Sequence, residues 1–181
     1  MATEAHRRDP LNLQVHFGLG SMAYFARRYG QAYKTLHEVA AKAPDYYLIH
    51  ELLSEVCARL GKRAESIAAA DAAIRESRHR GHAMTFAANA FAILGQRERA
   101  RELLSEVVLP GKVASYEAVH VARGYAELGL ATEAISWLET ARARKETGLQ
   151  TVRVHHSYDR IRTDSRFLEF ERTLPFPPLA Q

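Results

Sequence analysis

Cysteine is nearly missing from this chain of 181 residues, which contains Cys57 and no other. A single thiol cannot form an internal disulfide, and a chain without disulfides is typical of a reducing compartment, so the sequence predicts a cytoplasmic protein. Long hydrophobic runs are missing as well, because no stretch reaches the roughly 18 apolar residues that a membrane helix needs. The charged start, MATEAHRRDP, lacks the apolar core of a secretory signal. The sequence therefore predicts no contact with a membrane.

The motifs that carry catalysis are missing too. The sequence has no G-x-S-x-G nucleophile motif, no glycine-rich phosphate loop and no H-E-x-x-H metal motif. Nine histidines raise the question of a metal site, but adjacent residues such as His155 and His156 do not converge on a helix. No group of Cys, His and carboxylate residues has a zinc spacing. We therefore predict no enzyme, no cofactor and no metal ligand, and a buried, unreactive Cys57.

The charge balance gives little support for a nucleic-acid partner. The 25 Lys and Arg residues exceed the 21 Asp and Glu residues by a formal charge of +4. Arginines cluster in RESRHRGH (75–82) and RERARE (97–102), but the second cluster alternates with glutamate. Such mixed charge is typical of a solvated helix face. Binding of single-stranded nucleic acid is therefore less favoured than binding of a protein partner or self-association.

What the sequence does contain is a repeat of 34 residues. The short polar turns LGKRAES, LGQRERA and LGLATEA place Gly61, Gly95 and Gly129 at this spacing, and Arg27 stands one period earlier. Between the turns, apolar residues recur at i, i+3, i+4 and i+7, which predicts amphipathic helices. Glycine suits the left-handed residue that ends a helix, so each period predicts two helices joined by a tight turn. Five residues after each turn position comes a small residue: Ala32, Ser66, Ala100 and Ala134.

This repeat predicts an all-α solenoid. One hairpin cannot bury its own apolar stripe, so successive hairpins must stack on one another. The chain is predicted to be a single domain spanning 1–181. Its repeats are placed at 13–46, 47–80, 81–114 and 115–148, with a C-terminal helical cap at 149–181.

The pattern resembles the tetratricopeptide repeat (TPR). In LGSMAYFARRYGQAYKTLHEVAAKAPD, the pair Leu19-Gly20 comes early, Ala32 lies in the second helix and Pro44 stands at the exit. The resemblance implies a right-handed superhelix whose first helices line a concave groove and whose second helices line the convex face.

Both ends of the chain extend the resemblance. RRDPLN at 7–12 resembles the exit of a preceding repeat, and YDRIRTDSRFLEFERTLPFP resembles the tail that follows such repeats in bacterial signalling proteins. Those proteins include adenylate-cyclase-like proteins, kinases and winged-helix regulators. The resemblance implies a scaffolding or regulatory module of a bacterial signalling system.

The groove positions, taken from the phase of the repeat, combine an aromatic end, an acidic pair and a polar far end. Aromatic residues and arginine commonly anchor interfaces, and asparagine can hold an extended backbone. The predicted partner-binding residues are Phe17, Tyr24, Phe25, Glu51, Glu55, Arg59, His82, Asn89, Tyr116 and Arg123.

Among these ten residues, Tyr24, Asn89, Tyr116 and Arg123 are expected to contribute most. Phe17 and Phe25 have a second interpretation, in which they pack on a preceding repeat or a capping segment. The expected function is a protein–protein interaction module that binds a peptide or a partner helix in the groove. The alternative is self-association, as a homo-oligomer that meets through its terminal faces.

Overall fold

The computed structural model describes residues 13–77, 80–109 and 117–175, without the side chain of Arg80. Tyr116 and the RRDPLN segment at 7–12 lie outside these ranges. The described residues form nine α-helices and two short 3₁₀ turns, and they contain no strand. The helices are α1 (Leu13–Phe25), α2 (Tyr29–Lys42), α3 (Tyr47–Arg59), α4 (Arg63–Glu76), α5 (Arg80–Ile93), α6 (Arg97–Val108), α7 (Ala118–Glu127), α8 (Ala131–Ala143) and α9 (Ser165–Thr173). Among the described residues, no helix combines the length and the apolar character needed to cross a bilayer.

The first eight helices are stacked as four hairpins. In each hairpin the two helices pack on each other, as α3 does on α4 and α7 on α8. The first helices of successive hairpins also pack side by side, and each second helix contacts the first helix of the next hairpin. The all-α solenoid of helical repeats is therefore confirmed.

The four hairpin turns share one backbone conformation. Gly61, Gly95 and Gly129 have positive φ angles of 72°, 77° and 74°, and Arg27 has a φ of 58°. Each of these residues donates its N–H to a carbonyl three positions back, and the next residue donates to a carbonyl five positions back, for example Lys62 N to Cys57 O at 2.9 Å. This is the Schellman ending of a helix, which satisfies carbonyls that the last turn would leave unpaired.

Repeated contacts between hairpins fix the stack. The small residues Ala32, Ser66, Ala100 and Ala134 are all fully buried, as their position in the repeat predicts. Arg63 at the start of α4 donates to the carbonyl of Leu94, beyond the end of α5, at 3.0 Å. One period later, Arg97 donates to the carbonyl of Leu128 at 2.9 Å. Such equivalent bonds hold each second helix to the following hairpin.

The first hairpin offers a matched pair of glycine substitutions. A Cβ added at Gly20 would lie 2.5 Å from Leu36 Cδ2, whereas a Cβ at Gly18 in the same helix meets nothing within 4 Å. We expect Gly20→Ala to lower the free energy of unfolding by about 1–3 kcal/mol through overpacking. Gly18→Ala should raise it by about 0.5–1 kcal/mol, because glycine weakens a helix interior. Urea denaturation of the two variants measures both effects, and equal effects would contradict the close α1–α2 packing.

The cap consists of the turns Thr147–Thr151 and His156–Tyr158 followed by α9. Tyr158, Ile161, Phe167 and Phe170 are buried in one cluster with residues of α7 and α8. The Tyr158 ring stacks on Phe167, with ring centroids 5.4 Å apart. The cap thereby covers the apolar end of the last hairpin.

Candidate functional site

The candidate site is the first-helix face, the surface formed by α1, α3, α5 and α7. At its base, three buried side chains form a hydrogen-bonded network. The hydroxyl of Tyr24 donates to Glu55 Oε2 at 2.5 Å, and Asn89 Nδ2 donates to Glu55 Oε1 at 3.0 Å. All three side chains are buried, and burial raises the pKa of the Tyr24 hydroxyl well above its ordinary value. This network joins one residue from each of three successive hairpins.

An ion pair also crosses the face. Arg59 on α3 pairs with Glu127 on α7, two hairpins further along the chain. Side chains from two first helices that are separated by a whole hairpin thus meet across this face, which is the face that the repeat resemblance implies to be concave. Burial raises the pKa of Glu127 to about 7, although the Arg59 charge acts in the opposite direction.

The chain's own C-terminal segment, residues 155–159, packs against this face. The Arg123 guanidinium lies 2.8 Å from His155 Nε2, and His155 Nδ1 accepts a hydrogen bond from the backbone N–H of Ser157. The ring of His156 meets the ring of Tyr24 edge-on, with centroids 4.3 Å apart. We call residues 155–159 the groove segment.

The groove segment is also tied to the first hairpin turn. Tyr29 Oη lies 3.2 Å from His156 Nδ1. Arg27 forms two hydrogen bonds with the carboxylate of Asp159, at 2.6 and 2.9 Å. These contacts bring residues more than 120 positions apart in the sequence into one site.

The two histidines of this segment are held neutral. Burial lowers the pKa of His156 to about 3, and the nearby Arg59 and Arg27 charges add to the effect. Burial also lowers the pKa of His155 well below 6.5, with Arg123 as the next cause. A neutral imidazole presents one lone pair, so His155 can accept a hydrogen bond from only one of the two donors that face its ring nitrogens, the Arg123 guanidinium and the Ser157 N–H.

Most of the predicted partner-binding residues are buried or partly buried. Arg59 and Phe17 are partly buried, and Phe17 packs on the core of the first two hairpins. Phe25 keeps 37% of its surface exposed while its ring contacts His155 at 5.3 Å between centroids. His82 is also half-buried, and Tyr116 lies outside the described residues. The fully buried members are Tyr24, Glu51, Glu55, Asn89 and Arg123.

The groove segment was not predicted from the sequence. From the sequence, the adjacent residues His155 and His156 indicate only that they do not form a metal pair, because adjacent side chains diverge. Their divergence has a different consequence in the structure, since one ring turns toward Arg123 and the other toward Tyr24 and Tyr29. One feature of the sequence could have indicated this segment. Tyrosine and arginine stand at groove positions, and the equivalent positions of the neighbouring repeats offer them no matching partner.

A second polar cluster lies where α5 and α7 begin. His82, Glu117 and His120 each offer one potential ligand atom, and these atoms lie within 4.8 Å of one another. His82 Nδ1 is 2.9 Å from Glu51 Oε2. Burial lowers the pKa of His120 well below its ordinary value, with Arg123 as the next cause. The spacing of these residues along the chain is not a zinc spacing, so the sequence does not identify this group.

Cys57 is buried, as predicted. Burial raises the pKa of its thiol to about 12. The thiolate is the reactive form of cysteine, so this side chain is suited to packing between α3 and α4 rather than to nucleophilic chemistry.

Comparison of the chain with protein-family models, with curated proteins and with solved structures found no match.

Proposed function

We propose that this protein is a non-catalytic interaction module that binds an extended segment of a partner protein on its concave first-helix face. One observation carries the proposal: this face already holds a segment of the chain that lies outside the α-helices and includes the 3₁₀ turn His156–Tyr158, and it does so through side-chain contacts at several points. Arg123, Tyr24 and Arg27 each contact a different residue of the groove segment. A surface with such spaced polar and aromatic contacts is suited to holding a peptide.

The chemistry of the groove segment indicates what a partner would supply. Arg123 needs a hydrogen-bond acceptor, the ring of Tyr24 needs a flat ring or an apolar group, and Arg27 needs a carboxylate. A partner segment with these groups in the same order would replace residues 155–159. The proposed binding is thus a competition between partner and groove segment for one surface.

We further propose that the hairpins are tetratricopeptide repeats and that the module serves a bacterial signalling system. The period of 34 residues, the shared turn conformation and the buried small residues support the repeat family. The resemblance of the C-terminal sequence to the tails of bacterial regulators supports the signalling role.

The test weakens the attachment of the groove segment without altering the face beneath it. Asp159→Ala removes the acceptor for Arg27, and the matched variant Asp71→Ala removes an exposed partner of Arg99 on the second helix α4. Both variants and the wild type serve as bait in a lysate of the source organism, after circular dichroism shows equal helicity. We expect Asp159→Ala to retain several-fold more of a specific protein than either other bait.

A peptide supplies the control for the site. A synthetic peptide with the sequence VRVHHSYDRIRT, residues 152–163, should release the retained protein from the Asp159→Ala bait. Equal retention by all three baits, or retention that the peptide does not affect, would place the partner elsewhere and refute binding on this face.

A further inference from the structure

The residues at the beginnings of α5 and α7 form a group with the composition of a transition-metal site. His82 lies in the first turn of α5, while Glu117 precedes α7 and His120 lies in its first turn. His120 Nε2 is 3.2 Å from Glu117 Oε2. Two imidazoles and one carboxylate are a common set of protein ligands for zinc in sites that keep a further position open.

Glu51 prepares His82 for this role. Its Oε2 lies 2.9 Å from His82 Nδ1, and an imidazole that donates its Nδ1 proton to this carboxylate keeps the lone pair of Nε2 for a metal ion. A carboxylate behind a ligating histidine is the usual arrangement around protein-bound metals, where it fixes the ring and raises its basicity. Glu51 itself is buried, and its Oε1 has no hydrogen-bond partner among the described residues.

Packing holds the two rings in place. The Phe86 ring lies 4.9 Å from the His82 ring and 5.1 Å from the His120 ring, measured between centroids. His120 Nδ1 is buried and has no hydrogen-bond partner in the described part of the chain. Phe86 therefore packs against both imidazoles, while the contact with Glu51 fixes the ring of His82.

The distances suit a tetrahedral ion. Bonds of 2.0–2.1 Å place tetrahedral ligand atoms about 3.3 Å apart, close to the 3.2 Å between His120 Nε2 and Glu117 Oε2. All three ligand atoms lie within 4.8 Å of one another, and the Glu117 side chain, which is 46% exposed, has room to rotate toward the two imidazoles.

We propose that His82, Glu117 and His120 bind one divalent transition-metal cation of the zinc class, with Glu51 as a positioning residue. The site takes three ligands from the protein and leaves the remaining position to water or to a partner side chain. Nitrogen ligands favour zinc, nickel and copper over magnesium and calcium, which prefer oxygen. The proposal is independent of the groove segment and of the proposed partner binding.

Isothermal titration of zinc into the full chain, prepared without a histidine tag, tests the site. The wild type should bind one ion per chain, and excess Mg²⁺ should not displace it. Glu117→Gln, at an exposed position that the fold tolerates, should abolish the one-to-one binding. Glu51→Gln should weaken it about 10–100-fold, as expected for loss of a residue that orients a ligand. His37→Gln, which changes an exposed histidine outside the cluster, should leave the affinity unchanged.

A spectroscopic measurement distinguishes this site from zinc held by scattered surface histidines. Co²⁺ bound by the wild type should show the intense visible absorption of a four-coordinate ion, and Glu117→Gln should lose it. Zinc binding of equal strength in wild type and Glu117→Gln, or no binding at one ion per chain, would overturn the proposal.

Discussion

Tyr158→Ala is expected to lower the free energy of unfolding by about 3–5 kcal/mol, the usual cost of truncating a buried aromatic side chain. Tyr158 is fully buried, stacks on Phe167 and donates its hydroxyl hydrogen to the carbonyl of Val119 at 3.3 Å. It is the residue at which the groove segment joins the apolar cap. Its loss therefore removes core packing and loosens the segment on the concave face together. Urea denaturation followed by circular dichroism measures the change.

Two matched variants separate the causes of this effect. Tyr158→Phe keeps the ring and removes only the hydrogen bond, so we expect a loss of about 0.5–1.5 kcal/mol. Leu168→Ala truncates a neighbouring apolar side chain on the exposed side of α9 and should change stability by less than about 0.5 kcal/mol. A small loss in Tyr158→Ala, similar to that of Leu168→Ala, would show that the cap is not docked as described.

The second large effect is on the pH dependence of stability. The pKa of His156 is about 3 in the folded chain against 6.5 for the free side chain. As the pH falls below 6.5, His156 becomes protonated in the unfolded chain but stays neutral in the folded chain. The free energy of unfolding therefore decreases between pH 6.5 and pH 3. From pH 7 to pH 5 this loss amounts to about 2 kcal/mol for His156.

Other groups packed around His156 titrate or carry charge as well. A comparison with His156→Gln isolates the histidine, since the raised pKa of Glu127 acts in the opposite direction and is common to both proteins. The wild type should lose about 2 kcal/mol more than His156→Gln between pH 7 and pH 5, measured by urea denaturation at each pH. Parallel pH profiles for the two proteins would show that His156 is not held in a neutral, buried state. The surrounding groups are Tyr24, Arg27, Tyr29, Arg59, Arg123, Glu127, His155 and Asp159.

The hairpin stack could be predicted from the sequence because its causes are local and repeated. Each turn needs a residue at positive φ, and three of the turns have a glycine there, at a fixed spacing: Gly61, Gly95 and Gly129. The phase even located Arg27, which adopts the same conformation without being glycine. Its side chain offers a reason for the exception, since it forms the two bonds to Asp159.

The occupant of the groove could not be predicted in the same way. The groove segment has no period, and its contacts with Tyr24 and Tyr29 connect positions that no local pattern relates. The phase of the repeat predicts which residues line the concave face. It does not indicate whether solvent, a partner or the chain itself covers them. The partner-binding roles of Tyr24, Asn89 and Arg123 stay predictions.

The histidine cluster was missed for a geometric reason. His82 and His120 are separated by one repeat and one further helical turn, so they do not occupy equivalent positions when the repeats are aligned. Adjacent first helices pack side by side, and long side chains reach one turn beyond their equivalent position. A search for metal ligands in a helical repeat should therefore include pairs offset by one turn.

The bonds between Arg27 and Asp159 alter how the array should unfold. In an open array each hairpin contacts only its neighbours, so the ends can fray one unit at a time. Here the groove segment ties the first turn to the last part of the chain, and detaching the first hairpin also breaks the contacts of Tyr24, Arg27 and Tyr29 with residues 155–159. The contacts of the groove segment with the first hairpin therefore couple the first hairpin to the cap. This coupling favours unfolding in a single cooperative transition.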